Sequence, residues 1–166
     1  KDGGFGEILP GADCFILDEA HQLPEVASNF FGMSLSARQL TELARDVETE
    51  YHREAGDAPA VPQQAERLKK AVRDLRLSFG LEPRRGAWRE IAGQAAVQQA
   101  IGQVERELTE LAGQLEALGG RGKGLDSCRE RCVDLEARLA TLAGEESAED
   151  IRWFETHKHG FRLNRT

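Results

Sequence analysis

Two adjacent carboxylates, Asp18 and Glu19, follow the apolar run Cys14-Phe15-Ile16-Leu17 and precede Ala20 and His21. A buried strand that presents two acids at its carboxyl end suits metal-assisted hydrolysis of a nucleoside triphosphate. One acid helps hold the metal ion, and its neighbour orients or deprotonates the attacking water. The same pair has a plainer reading, in which a strand ends in a solvated turn. The partner that such chemistry requires is missing, because no G-x-x-x-x-G-K-[ST] phosphate loop occurs in these residues. An acidic box without its phosphate loop reads as a fragment of a larger machine.

Other residues are candidates for other chemistry. Arg84, Arg85, Trp88 and Arg89 combine positive charge with an aromatic ring, the combination that holds single-stranded DNA by phosphate contact and base stacking. The alternative for Trp88 is to cap the core end of its helix. Arg121 and Lys123 form a second basic cluster, at the tip of a helical hairpin, where basic turn residues are also common. Cys128 and Cys132 stand one helical turn apart on an apolar seam, so core packing is expected for them rather than a metal site. His157 and His159 flank Lys158 without a ligand cluster of zinc spacing, and a solvated turn is the expectation there.

The elements that must position these residues are mainly helical. The chain has 166 residues, 40% hydrophobic and 6% aromatic, enough for one domain or for one domain with a piece of another. A net charge of −7 argues against a surface devoted wholly to nucleic acid, while leaving room for a local basic strip. Three cysteines without a Cys-x-x-Cys pair suit a reducing compartment. With no signal-like segment and no apolar run near the ~20 residues of a membrane span, a cytoplasmic protein that does not engage membranes is expected.

From Ser36, a plausible N-cap, Leu40, Leu43, Ala44, Val47 and Tyr51 recur at helical spacing, with Gly56 past the end. Residues Asp57 to Pro62 read as a proline-bearing linker. Leu68, Val72, Leu75 and Phe79 then mark a second helix that stops near Gly80, and Pro83 and Gly86 separate it from the next. The seam Val97, Ile101, Val104, Leu108, Leu111, Leu115 and Leu118 predicts a long third helix. Leu125, Cys128, Cys132, Leu135, Leu139 and Leu142 predict a fourth beyond Gly119-Gly120-Arg121-Gly122. Their alternating steps of three and four predict an antiparallel coiled-coil hairpin. Trp153-Phe154-Glu155 and Phe161-Arg162-Leu163 around Gly160 predict a β-hairpin.

The string Gly11-Ala12-Asp13-Cys14-Phe15-Ile16-Leu17-Asp18-Glu19-Ala20-His21-Gln22-Leu23-Pro24 resembles motif II of superfamily 2 helicases. With the Gly4-Phe5-Gly6-Glu7 approach, the stretch from Gly4 to about Gly32 looks like the DinG and YoaA branch of the XPD-like DNA helicases. The resemblance implies that Asp18 helps hold Mg²⁺ on ATP, that Glu19 acts on the attacking water, and that His21 couples the nucleotide site to neighbouring motor elements. It also implies a helical arch domain inserted after motif II, which would help guide and separate single-stranded DNA. Residues 1–32 would then be a piece of motor domain 1, residues 33–150 the arch, and residues 151–166 a β-rich return toward the motor. A 4Fe–4S cluster, replication or repair proteins as partners, and the second motor domain are implied for the parent enzyme. The cluster's ligands lie outside this chain, and the fragment alone is expected to be inactive.

The fold class expected is therefore mainly α, a helical arch-type domain with a long-helix hairpin and short β segments at both ends that belong to the parent motor domain. The competing reading is a non-enzymatic helical module for protein–protein interaction. Self-association through the strand Cys14 to Leu17 is a further expectation, because that strand would lack its neighbours in the sheet.

Overall fold

A computed structural model of the chain describes residues 32–144 and 150–166. It is mainly α. Strand β1 (Met33–Ser36) leads into helix α1 (Ala37–Glu54) and helix α2 (Ala60–Ser78). Strand β2 (Arg85–Ala87) and a single turn of helix, α3 (Arg89–Ala92), follow. The long helices α4 (Ala95–Ala117) and α5 (Lys123–Ala143) come next, and β3 (Arg152–His157) and β4 (Gly160–Arg165) close the described fold.

Local chemistry explains the boundaries. Ser36 has an extended backbone and accepts a hydrogen bond from the Gln39 N–H through its hydroxyl, while the Gln39 carboxamide oxygen accepts from the Ser36 N–H. This reciprocal capping box satisfies two donors that the first turn of α1 would otherwise leave open. At the other end, Gly56 adopts φ 64° and its N–H, like that of Ala55, returns to the Tyr51 carbonyl. Helix α2 starts earlier than the proline pattern suggests. It begins at Ala60, so Pro62 lies inside its first turn, where the missing N–H has no intrahelical acceptor to serve.

The predicted hairpin of α4 and α5 is present, but it is half of a larger unit. Helix α1 packs on α2 and α5, and α4 packs on α2 and α5, which closes a four-helix ring. Two helices alone would leave part of each seam in water. The apolar faces of α1 (Leu40, Leu43, Val47) and α2 (Leu68, Val72, Leu75) cover it, and all of the predicted seam residues are buried.

The four strands form one antiparallel sheet in the order β1-β4-β3-β2. The predicted β3–β4 hairpin turns at Lys158 and His159. Strands β1 and β2, of four and three residues, complete the sheet on either side. One face carries Leu35, Phe154, Phe161 and Leu163 into the core shared with the helices. There the Phe79 ring meets Phe161 edge-on at 5.3 Å and Trp88 edge-on at 6.5 Å.

Two buried arginines fasten sheet to helices. Arg76 donates to the carbonyl of His157 in the hairpin (2.5 Å) and to those of Gly80 (2.6 Å) and Leu81 (3.3 Å) beyond the end of α2. Arg152 donates to the Gly144 carbonyl past the end of α5 (2.8 Å) and pairs with Asp150 (2.8 Å), whose other oxygen meets Arg165 (2.7 Å). A cation near a helix C-terminus also meets the negative end of the helix dipole.

Candidate nucleic-acid interface

Asp18, Glu19 and His21, with the strand Cys14 to Leu17 expected before them, lie outside the described residues. The basic clusters lie within them. Strand β2 holds Arg85 against β3 through the pairs Arg85–Glu155, Gly86–Phe154 and Ala87–Trp153, and Arg84 immediately precedes it. The Arg84 backbone is bound on both sides by Thr156: its N–H donates to the Thr156 hydroxyl (2.9 Å), and its carbonyl accepts from the Thr156 N–H (2.8 Å). Its guanidinium lies 5.0 Å from the centre of the Phe154 ring. Arg85 points the other way, with its guanidinium 5.8 Å from the Trp153 ring and its Nε 3.4 Å from Glu155.

Trp88 takes the core reading. It is 3% exposed, sits in the cluster around Phe79 and offers no face to a nucleic-acid base. The reason is that β2 pairs with β3 and the Trp88 N–H donates to the Arg152 carbonyl (2.9 Å), which turns this part of the chain inward. Arg89, the first residue of α3, is exposed.

Arg121 and Lys123 lie at the tip of the α4–α5 hairpin, as expected. Arg121 pairs with Asp57 (2.5 Å), joining the α4–α5 turn to the α1–α2 turn. Lys123 begins the first turn of α5. Next to it, the Glu54 carboxylate of α1 accepts from the N–H groups of Gly124 (3.2 Å) and Leu125 (3.0 Å), capping α5 from another helix. A Cβ at Gly122 would overlap that carboxylate, which is why glycine stands there.

Cys128 and Cys132 are buried in the seam, as expected. Burial pushes their thiols up to about 11 and about 12, well away from a reactive thiolate. Among the described residues no group of three His, Cys, Asp or Glu side chains is arranged to hold a metal ion. None of the described helices is long and apolar enough to cross a membrane.

Segregation of charge is the feature that a reading along the chain missed. Residues 84–89 and 150–166, which supply the sheet apart from β1, hold seven Lys or Arg against two Asp or Glu; the rest of the chain holds fifteen against twenty-seven. The signal was there in the counts, but only the pairing of β2 with β3 shows that two distant basic segments join one sheet.

Comparison with known proteins supplies the wider context. No family model matches the chain. The ATP-dependent DNA helicase YoaA of Haemophilus influenzae is 36% identical over 167 residues, and that of Escherichia coli K12 is 38% identical over 164. The chain is similar from end to end to YoaA helicases. These matches cover 100% and 98% of the chain but 26% of each relative, so the chain spans about a quarter of the length of the curated relatives it matches. The resemblance to the DinG and YoaA branch, first read between Gly4 and Gly32, thus continues through the helical bundle and the sheet.

Proposed function

We propose that these residues are part of an ATP-dependent DNA helicase, and that the unit from Met33 to Arg165 is an arch-type insertion in its first motor domain. The observation that carries this reading is the pairing of Met33 with Arg165 in adjacent antiparallel strands. The polypeptide enters and leaves the unit side by side, and such a unit can be inserted into a host domain without disturbing it. Residues 1–32 would then belong to the motor, and β3 and β4 would both complete the arch sheet and lead back to the motor.

In this reading Asp18 holds Mg²⁺ on ATP and Glu19 orients or deprotonates the attacking water, with His21 linking that site to the other motor elements. The 166 residues contain no phosphate loop, so alone they neither hydrolyse ATP nor unwind DNA. A 4Fe–4S cluster of the parent would take its ligands from elsewhere. Within this chain Cys128 and Cys132 are committed to the core. The arch guides one DNA strand and keeps it from its complement. Replication or repair proteins are the expected partners of the intact enzyme, and the cytoplasm its expected location.

The test is Glu19→Gln in the intact protein. Loss of the general base should lower DNA-stimulated ATP hydrolysis by about 100-fold or more while ATP binding persists. Hydrolysis at the unsubstituted rate would overturn the assignment. The competing protein–protein module draws no support from the seam of α4 and α5, which is covered by α1 and α2 of the same chain.

A further inference from the structure

At the end of the sheet where the chain enters and leaves the unit, one carboxylate joins three segments. Asp150 stands just before β3. Its Oδ2 accepts from Arg152 (2.8 Å), and its Oδ1 accepts from both Nε (2.8 Å) and Nη2 (2.7 Å) of Arg165. Arg152 and Arg165 lie directly opposite each other on β3 and β4, where two like charges repel unless an anion stands between them. Arg152 also donates to the carbonyls of Leu142 (3.4 Å) and Gly144 (2.8 Å), at the C-terminal end of α5. Arg165 is in turn the strand partner of Met33 in β1. Mutual backbone bonds between Ile151 and Thr166 (3.1 and 3.0 Å) continue the ladder beside this cluster. The side chains of Asp150 and Arg152 are 9% and 4% exposed, and that of Arg165 is 36% exposed.

We propose that Asp150 and Arg165 are positioning residues for unwinding: with Arg152 they form a clasp that makes the α4–α5 hairpin turn as one body with the strands joining the unit to the motor. The proposal rests on the helicase and arch reading above and assigns the coupling to named side chains. Stability alone does not call for such a cluster, because taking charges out of water offsets much of their attraction and apolar side chains of similar volume hold a fold as well. What the ions add is direction. The forked guanidinium of Arg165 meets the carboxylate through two nitrogens, and Arg152 carries the same carboxylate to the end of α5, so neither β4 nor α5 can rotate against the other without breaking these bonds. The leverage is large. Helix α5 has 21 residues, so its far end lies about 30 Å from the clasp, and about 10° of slack at the base moves the hairpin tip by about 5 Å.

The experiment measures base pairs unwound per ATP hydrolysed by the intact protein, beside DNA-stimulated ATP hydrolysis and thermal denaturation. Asp150→Asn strands two facing cations and risks the fold, so the deciding variant is Arg165→Gln. It opens the arm to β4 and leaves Asp150, Arg152 and the carbonyls of α5 bonded to one another. Arg165→Gln is expected to lower unwinding per ATP about threefold or more, the scale of removing one link from a coupled network, while hydrolysis stays within about twofold. Arg165→Lys, which keeps the charge, is expected to restore more than half of the loss. A folded Arg165→Gln protein with a lowered melting temperature and unchanged unwinding per ATP overturns the proposal and leaves the clasp a structural ion cluster. So does an Arg165→Lys variant as weak as Arg165→Gln, or a loss of hydrolysis equal to the loss of unwinding. Removal of the whole unit from Ser34 to Asn164 decides the arch reading separately. If that removal lowers unwinding per ATP and Arg165→Gln does not, only the clasp falls; if neither does, both fall.

Discussion

Trp88 and Trp153 show how far a residue type alone can be read. Both are tryptophans beside arginines, and the run Arg84, Arg85, Trp88, Arg89 advertised itself because it is compact in sequence. Trp88 is nevertheless in the core and Trp153 on the outer face, since pairing of β2 with β3 fixes which way each ring points. No local pattern in a three-residue strand announces that pairing. Trp88→Ala should cost about 3–5 kcal/mol of stability, as expected for deleting a buried aromatic. Thermal or urea denaturation checks it, and a loss below about 1 kcal/mol would contradict the core placement. The seam cysteines, by contrast, were legible from spacing alone. Burial raises both thiols above their ordinary value of 9, to about 11 and about 12. The folded state therefore keeps protons that the unfolded state has lost. Their stabilising contribution is present below about pH 9 and declines as pH rises through 11 and 12. The urea midpoint should fall more steeply above pH 9 in the natural chain than in the Cys128→Ala, Cys132→Ala variant. Parallel curves would contradict it.

At the scale of elements, long periodic segments declared themselves and short ones did not. The capping residue Ser36 and the apolar positions of α1, α4 and α5 carried enough repeats to fix type and face. Strands β1 and β2 are too short to show a period of two, and Pro62 suggested a linker although a proline in a first turn is compatible with helix. The interhelical cap was invisible because Glu54 and Leu125 are 71 residues apart. Glu54→Ala should cost about 1 kcal/mol through loss of that cap. Gly122→Ala should cost about the same by pushing the carboxylate away, yet add almost nothing once Glu54 is already alanine. Chemical denaturation of the two single variants and the double variant tests the coupling; additive losses would show that Glu54 does not cap α5. The Lys69 ammonium, bound by Glu48 (2.6 Å) and Glu66 (2.7 Å), similarly ties α1 to α2 by a contact that no sequence window contains.

For the whole molecule, the acidic box and its flanks pointed to a helicase, and the matches to YoaA proteins extend that likeness over the full chain. What the sequence could not display is the closure of the unit: Met33 and Arg165, at the two ends of the described fold, are neighbours across two strands. Nor could it display that the basic segments 84–89 and 150–166 meet in one sheet. Both follow from the order β1-β4-β3-β2, which brings the first and last strands together and sets β2 against β3. The central claim is that this unit is an insertion that couples motor action to strand separation without taking part in ATP chemistry. Its most direct test is the number of base pairs unwound per ATP hydrolysed by the intact protein, with and without replacement of Ser34 to Asn164 by an Asn-Gly turn. DNA-stimulated hydrolysis should persist while unwinding per ATP falls about tenfold or more, the scale of removing one base stack or greater. Unwinding per ATP unchanged by the excision, or hydrolysis abolished by it, would contradict the account.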